Sequence, residues 1–285
     1  MTTMEELSTP AKITWCPGCG NFAILTAVKR AIVELGLRRE EVVAVTGIGC
    51  HGRMTNYINV NGIHVLHGRV LPVATAIKLA NHGLTVLGFA GDGDAYSIGI
   101  GHLSHTARRN VDIKYIVHNN LVYALTTGQT SPTSELGFRT RSTPRGSYEQ
   151  PINPLLHALA SRASFIARGF AGDVRHLTML LKEAMRHRGF ALIDVLQPCM
   201  VWNRVNTYEW YRERVYKLEE EGHDPGDLEG AYRKAVEWGD RIPIGILYRV
   251  ERPPYREHFP PLREGPLALQ PLEKADLTPL LEELS

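Results

Sequence analysis

The chain has 285 residues, enough for one large domain, or a domain with an arm, around a substantial core. Thirty-two Lys and Arg against thirty Asp and Glu leave a net charge of +2, too balanced to imply a nucleic-acid partner. Lys78 interrupts the longest apolar run, so no membrane span is expected.

The opening MTTMEELSTPAKITW has neither a basic start nor an apolar core. No secretory signal is expected, and the chain reads as cytoplasmic. Residues 22–35 place Ile24, Ala27, Val28, Ala31 and Ile32 on one side and Lys29, Arg30 and Glu34 on the other, the spacing of a helix. A strand follows at 41–45. Helices are expected at 72–80 and 98–108, and strands at 84–90 and 111–117. His102 and His105 fall on the second of those helices, as surface or packing residues. Gly, Ser, Thr, Pro and Arg dominate 126–150, an irregular stretch of the kind used as a functional loop or interface. Residues 174–186 form a strongly amphipathic helix with Leu177, Leu180, Leu181 and Ala184 on one side, and 191–196 a strand. After Asn203 the character changes. Trp210, Tyr211 and Val215 suit one helix face, Asp224-Pro225-Gly226-Asp227 marks a turn, and the Pro-rich 253–271 is expected to wrap another surface. Strand–helix alternation predicts an α/β fold, an open parallel sheet with helices on both faces, its strand pattern ending near Cys199. The expected division is 1–204 as that domain and 205–285 as an irregular C-terminal arm that docks a partner.

Asp92 and Asn120 bracket the most informative span. Gly91-Asp92-Gly93-Asp94 closes one predicted strand and Asn119-Asn120 the next, with twenty-five residues between Gly93 and Asn119. Parallel strands of an open α/β sheet present ligand groups just beyond their carboxyl ends, so the two side chains should meet over one edge. A carboxylate and an amide carbonyl are hard oxygen donors, and magnesium takes a few of these and completes its shell with phosphate oxygens and water. Gly91 and Gly93 let the backbone approach a charged group. The span reads as a magnesium–diphosphate site, with an ordinary turn as the alternative for the first half taken alone.

The four cysteines are Cys16 and Cys19 in WCPGCGN, Cys50 in GIGCHG and Cys199 in LQPCMV. The C-x-x-C spacing in a cytosolic protein points to metal or redox chemistry rather than a disulfide. Four thiolates suit a [4Fe–4S] cluster or a zinc ion, but zinc modules usually pair one C-x-x-C with a second, which is missing. Scattered ligands imply a cluster assembled by the fold, with Pro17 and Gly18 in a tight loop whose amides can donate to cluster sulfurs. Four unrelated buried cysteines are the alternative.

The Asp92–Asn120 span resembles the thiamine diphosphate-binding motif. That likeness implies magnesium held by Asp92, Asn120 and the carbonyl of Val122. Together with WCPGCGNFAIL, TGIGCHGR, LHGRVLPVATAIKLAN, GDGDAYSIGIGHLSHTARRN, TTGQTSPTS and ALIDVLQPC, it makes the chain from about Trp15 to Asn203 similar to the β subunits of 2-oxoacid:ferredoxin oxidoreductases, most closely the 2-oxoglutarate type. The resemblance implies the thiamine diphosphate-binding fold and one [4Fe–4S] cluster on Cys16, Cys19, Cys50 and Cys199. It implies cofactor contacts at Ile48, Gly49, Cys50, His51, His67, Gly91, Gly93, Asp94, Ala124 and Leu125. Arg53, where relatives place Lys or Arg, reads as a cation aimed at the substrate carboxylate, with a phosphate or surface contact as the alternative. Two departures are visible: His51-Gly52 where many relatives have serines, and Ala124 where the family usually has glycine.

The implied reaction is oxidative decarboxylation of a 2-oxoacid with coenzyme A, electrons leaving through the cluster to ferredoxin. In the family a separate α subunit supplies the glutamate that thiamine enzymes need, so the isolated chain should be inactive. Two other readings stand beside this one: a non-redox thiamine enzyme of the acetolactate synthase kind, and a non-catalytic metal-binding scaffold. A dinucleotide site is excluded. Gly47-Ile48-Gly49-Cys50-His51-Gly52 has the right glycines, but no helical period follows and no Asp or Glu lies between Glu41 and Asp92.

Overall fold

Apolar runs without polar alternation become strands buried on both faces, as a covered parallel sheet requires. In the computed structural model, which describes residues 2–271 and 276–284, β1 (Val42–Thr46), β2 (Asn61–His64), β3 (Thr85–Gly91), β4 (Lys114–Asn119), β5 (Phe165–Phe170), β6 (Ala191–Leu196), β7 (Val215–Lys217) and β8 (Ile242–Arg249) form one sheet. Their order is β2-β1-β3-β4-β6-β5-β8-β7. The first six run parallel, β8 is antiparallel to β5, and β7 is parallel to β8.

The helices among the described residues, in chain order, are α1 (Asn21–Glu34), α2 (Met54–Tyr57), α3 (Val70–Ala80), α4 (Ile100–Arg109), α5 (Pro154–Ala160), α6 (Val174–Arg186), α7 (Tyr208–Arg212), α8 (Leu228–Val236), α9 (Pro260–Arg263) and α10 (Thr278–Glu283). Strand side chains alternate between two faces. Val42, Ala44, Leu87, Phe89, Ile116 and Ile193 pack with α1, α2 and α6. Val43, Val45, Val86, Val117 and Leu192 pack with α3, α4, α5 and α8 on the other face. The doubly covered parallel sheet matches the expectation.

Three expectations change. The sheet does not end near Cys199, because β7 and β8 extend it past β5. α8 crosses between the parallel β7 and β8, and β8 joins the rest of the sheet by running antiparallel to β5. Val215 does not share a helix face with Trp210 and Tyr211; α7 stops at Arg212 and Val215 opens β7, while Tyr211 joins Phe170, Leu196, Ile242 and Ile244 in a third apolar cluster. The helix expected from residue 98 begins at Ile100, preceded by a π-helical turn over Asp94–Ile98, a feature often found at functional sites.

The Pro-rich segment packs back on the protein's own body. Asn110 Nδ2 donates to the carbonyls of Arg252 and Pro253 at 3.0 and 3.2 Å, and the Asn110 carbonyl accepts from the Tyr255 N–H at 3.2 Å. Ser164 Oγ sits 2.6 Å from Asn110 Oδ1 and 2.7 Å from His187 Nε2. Burial, then the nearby Lys114 and Arg249, hold the His187 ring down at about 4 from its ordinary 6.5, with Asp112 opposing. The unfolded chain therefore takes up this proton first as pH falls, and stability that is whole above pH 6.5 is lost on the way to 4. The lowering is worth about 3 kcal/mol. The melting midpoint of His187→Gln should fall less than the parent's between pH 7 and about 4; parallel curves would refute this.

Candidate functional site

Register decides which loops meet. Thr46 lies beside Phe89, Gly91 beside His118, and Asn119 beside Leu196. The segments leaving β1, β3, β4 and β6 therefore emerge together at one edge: Gly47 to Cys50, Asp92 to Asp94, Asn120 to Leu125, and Gln197 to Cys199. A cavity of about 350 Å³ opens there. Its wall includes Ile48, Gly49, Cys50, His51, His67, Gly91, Asp92, Gly93, Asp94, Asn120, Val122, Ala124 and Leu125, all singled out from sequence, and also His118, Tyr123, Thr126 and Gln197, which were not. Arg53 is exposed in the same turn as Cys50 and is not part of that wall. His102 is half-buried and His105 exposed on α4, also outside it.

Asp92 is 2% exposed, and burial raises its carboxyl to about 6. Its Oδ2 accepts from the hydroxyls of Ser131 and Thr133, the latter at 2.8 Å. Both come from the irregular 126–150 stretch, which Ser134 pins to the end of β4 by donating to the Leu121 carbonyl at 2.6 Å. No spacing in the sequence marks these hydroxyls, since the loop has no period.

Asp94 is also 2% exposed and faces protein donors. Its carboxylate lies 3.2 Å from His51 Nε2 and 3.1 Å from His67 Nδ1, and it accepts from the Gly68 N–H. It orients two cavity histidines. At Gly91 and Gly93 the room a side chain would need is taken by neighbouring rings. A Cβ on Gly91 would lie 2.9 Å from His51 Nδ1, and one on Gly93 only 2.0 Å from Tyr123 Cε1. Gly93→Ala should therefore lower the melting midpoint by the equivalent of about 1–3 kcal/mol of overpacking. Tyr123→Ala in the same protein should restore it, and no restoration would argue against the ring as the obstacle. Ala124 is not among the residues of positive φ, so its methyl adds no backbone strain.

The four cysteines converge from three distant segments. Trp15 Nε1 donates to the Cys50 carbonyl at 2.7 Å, and the Gly20 N–H to the Pro198 carbonyl at 3.3 Å. Burial pushes the Cys19 thiol up to about 12, with Cys199, Cys50 and Cys16 adding to the rise. Cys50 rises to about 11 by burial, then by Cys199 and Cys16. All are free thiols; Cys16 is exposed and Cys199 buried. Among the described residues no three His, Cys, Asp or Glu side chains close on one point as a single ion demands. Cys19 and Cys50 feel the charges of Cys16 and Cys199, so the four thiols lie near one another, and a cubane would take one of them at each iron. Cys50 belongs to both the thiol group and the cavity wall.

The magnesium reading also fits the donor set. Asp92, the Asn120 amide and the Val122 carbonyl are hard oxygens at one edge, and no Lys or Arg lines the cavity. A divalent cation on Asp92 would relieve the burial that raises its carboxyl and would balance a diphosphate.

The sequence matches the family model of the thiamine pyrophosphate enzyme C-terminal TPP-binding domain over residues 29–195, and that of the C-terminal part of the pyruvate ferredoxin oxidoreductase β subunit over residues 199–264. It is 50% identical over 249 residues to a 2-oxoacid:ferredoxin oxidoreductase β subunit of Saccharolobus solfataricus, an overlap spanning 83% of this chain and 82% of that one. It is 42% identical over 283 residues to subunit β of 2-oxoacid:ferredoxin oxidoreductase 1 of Aeropyrum pernix, spanning 94% and 89%. The fold is similar to 2-oxoglutarate:ferredoxin oxidoreductase of Magnetococcus marinus, solved with 2-oxoglutarate, coenzyme A and succinyl-CoA bound. The TM-score is 0.91 at 37% identity, over 100% of this chain and 96% of that one.

Proposed function

The chain belongs to the β subunits of the 2-oxoacid:ferredoxin oxidoreductases, and from that premise we propose that it holds the diphosphate end of thiamine diphosphate and the [4Fe–4S] cluster side by side. The enzyme it serves oxidatively decarboxylates a 2-oxoacid, of which 2-oxoglutarate is the leading candidate, with coenzyme A, and reduces ferredoxin. The observation that carries the reading is Cys50, which stands in the thiol group and in the cavity wall at once. Membership sets aside the acetolactate synthase kind and the scaffold.

Thiamine diphosphate, when bound, supplies the electron sink for decarboxylation. In our reading Asp92, Asn120 Oδ1 and the Val122 carbonyl hold magnesium. The turn at Ile48, Gly49, Cys50 and His51, with His67, Gly91, Gly93, Asp94, Ala124 and Leu125, shapes the diphosphate pocket. Cys16, Cys19, Cys50 and Cys199 bind the cluster, and Arg53, exposed beside Cys50, receives the substrate carboxylate, for which its planar fork is suited.

The site is completed by an α subunit. The carboxylates in the cavity wall are Asp92 and Asp94, both already bonded to protein donors, so the glutamate for the aminopyrimidine comes from a partner. Within residues 205–285, of which β7 and β8 belong to the sheet of the cofactor domain, the exposed face of α8 is our candidate docking surface. Leu228, Tyr232 and Val236 stand exposed four apart along α8, which supports it. No helix among the described residues is long and apolar enough to cross a membrane, in keeping with a cytoplasmic enzyme.

The test is anaerobic purification of the β subunit alone and with its α subunit. The β subunit should carry roughly four iron and four sulfide. Ferredoxin reduction driven by 2-oxoacid and coenzyme A should appear only in the complex. Turnover by the isolated β subunit, or an iron-free complex after reconstitution, would overturn the reading.

A further inference from the structure

Gln197 stands between the two halves of the site. It follows β6 directly, and the pairing of Leu196 with Asn119 sends Gln197 and Asn120 out of the sheet side by side. The Gln197 backbone N–H donates to the Asn119 carbonyl at 2.9 Å. Its side chain is buried, 1% exposed. Nε2 lies 2.9 Å from the Pro198 carbonyl oxygen and 3.4 Å from Cys19 Sγ.

Chemistry fixes which way this amide points. A peptide carbonyl only accepts, so the atom facing Pro198 is the amide nitrogen, and its two hydrogens serve the carbonyl and the sulfur. Oε1 then faces Asn120 Nδ2 at 2.9 Å and accepts from it. Because Nδ2 of Asn120 donates there, its Oδ1 is turned the other way, toward the Val122 N–H at 3.2 Å. Gly20 makes room for the seat, since a Cβ there would lie 2.7 Å from Gln197 Cγ. One buried path results, from Asn120 Nδ2–H to Gln197 Oε1, and from Gln197 Nε2–H to Cys19 Sγ.

We propose that Gln197 is a positioning residue with two effects: it turns the Asn120 carbonyl oxygen toward the bound cation, and its N–H on Cys19 Sγ raises the reduction potential of the cluster. The inference rests on the function proposed above. A reduced cluster carries one more negative charge, so a donor on its thiolate favours the reduced form. Burial leaves that donor unscreened by water.

The experiment uses the anaerobic complex with its α subunit. Two quantities are measured, the cluster midpoint by EPR-monitored redox titration and the dissociation constant of magnesium thiamine diphosphate. Gln197→Met removes both bonds at nearly constant size. It should raise the oxidised-to-reduced ratio at fixed poise about tenfold, a midpoint about 59 mV lower for a one-electron couple, and should weaken cofactor binding as well. Thr133→Val loosens Asp92 without touching Cys19, so it should weaken cofactor binding and leave the midpoint in place. If the Met variant fails to assemble, Gln197→Asn withdraws the same N–H from Cys19 by one carbon and should lower the midpoint too. A clustered Gln197 variant with the parent's midpoint would overturn the inference alone. A parent complex without iron would overturn the functional reading, and this inference with it.

Discussion

Asp92→Ala is expected to weaken binding of magnesium thiamine diphosphate by about a hundredfold or more. Losing an outer partner of a metal ligand commonly costs about 10–100-fold, and Asp92 is proposed as the ligand itself. Its carboxylate is buried and already pulled between burial and two hydroxyl donors, so a cation is the partner that would favour its charged form most. Thr133→Val, which removes one of those donors and spares the carboxylate, should fall near the low end of that range. Calorimetric titration of the complex measures both. An Asp92→Ala affinity within about threefold of the parent, far below that range, would remove Asp92 from the site.

Cys199→Ser is expected to abolish ferredoxin reduction and to strip iron from the complex. A hydroxyl is a poor substitute for a thiolate on iron, which prefers soft sulfur ligands in clusters. Cys199 is 8% exposed and lies outside the cavity wall, so its loss should leave the cofactor's dissociation constant close to the parent's. Cys50→Ser should differ in that respect, because Cys50 also lines the cavity and its loss should disturb both. Iron analysis, ferredoxin reduction and cofactor titration on the two variants separate these outcomes. Full iron content in Cys199→Ser would exclude that residue as a ligand.

Much of the frame is legible locally. The amphipathic spacing of Leu177, Leu180, Leu181 and Ala184 reports a helix with one buried face, and α6 buries those residues. The apolar runs before Asp92 and Asn120 report buried strands, and β3 and β4 are those strands. Ser131 and Thr133 are different. Their role depends on a loop folding back over Asp92, and a short polar stretch has the same composition whether it does so or not. Gln197 stands in the quoted ALIDVLQPC, but its bridging role is likewise invisible in the sequence, because its partner Asn120 is known only once the adjacent strand is. The rings of His51 and Tyr123 that crowd Gly91 and Gly93 are equally invisible, since both come from other segments of the chain.

By itself, then, the sequence determined the alternation of strands and helices, the placing of Asp92 and Asn120 at strand ends, and the supply of four thiols. Those follow from periods of two and 3.6 residues and from residue chemistry, which act over short stretches of chain. Only the tertiary structure decided that Cys16, Cys19, Cys50 and Cys199 meet, that β8 pairs antiparallel with β5, and that Gln197 joins Asn120 to Cys19. Strand order is the reason. Placing β6 rather than β5 beside β4 brings residues nearly eighty positions apart into register, and that choice is made by packing across the whole sheet.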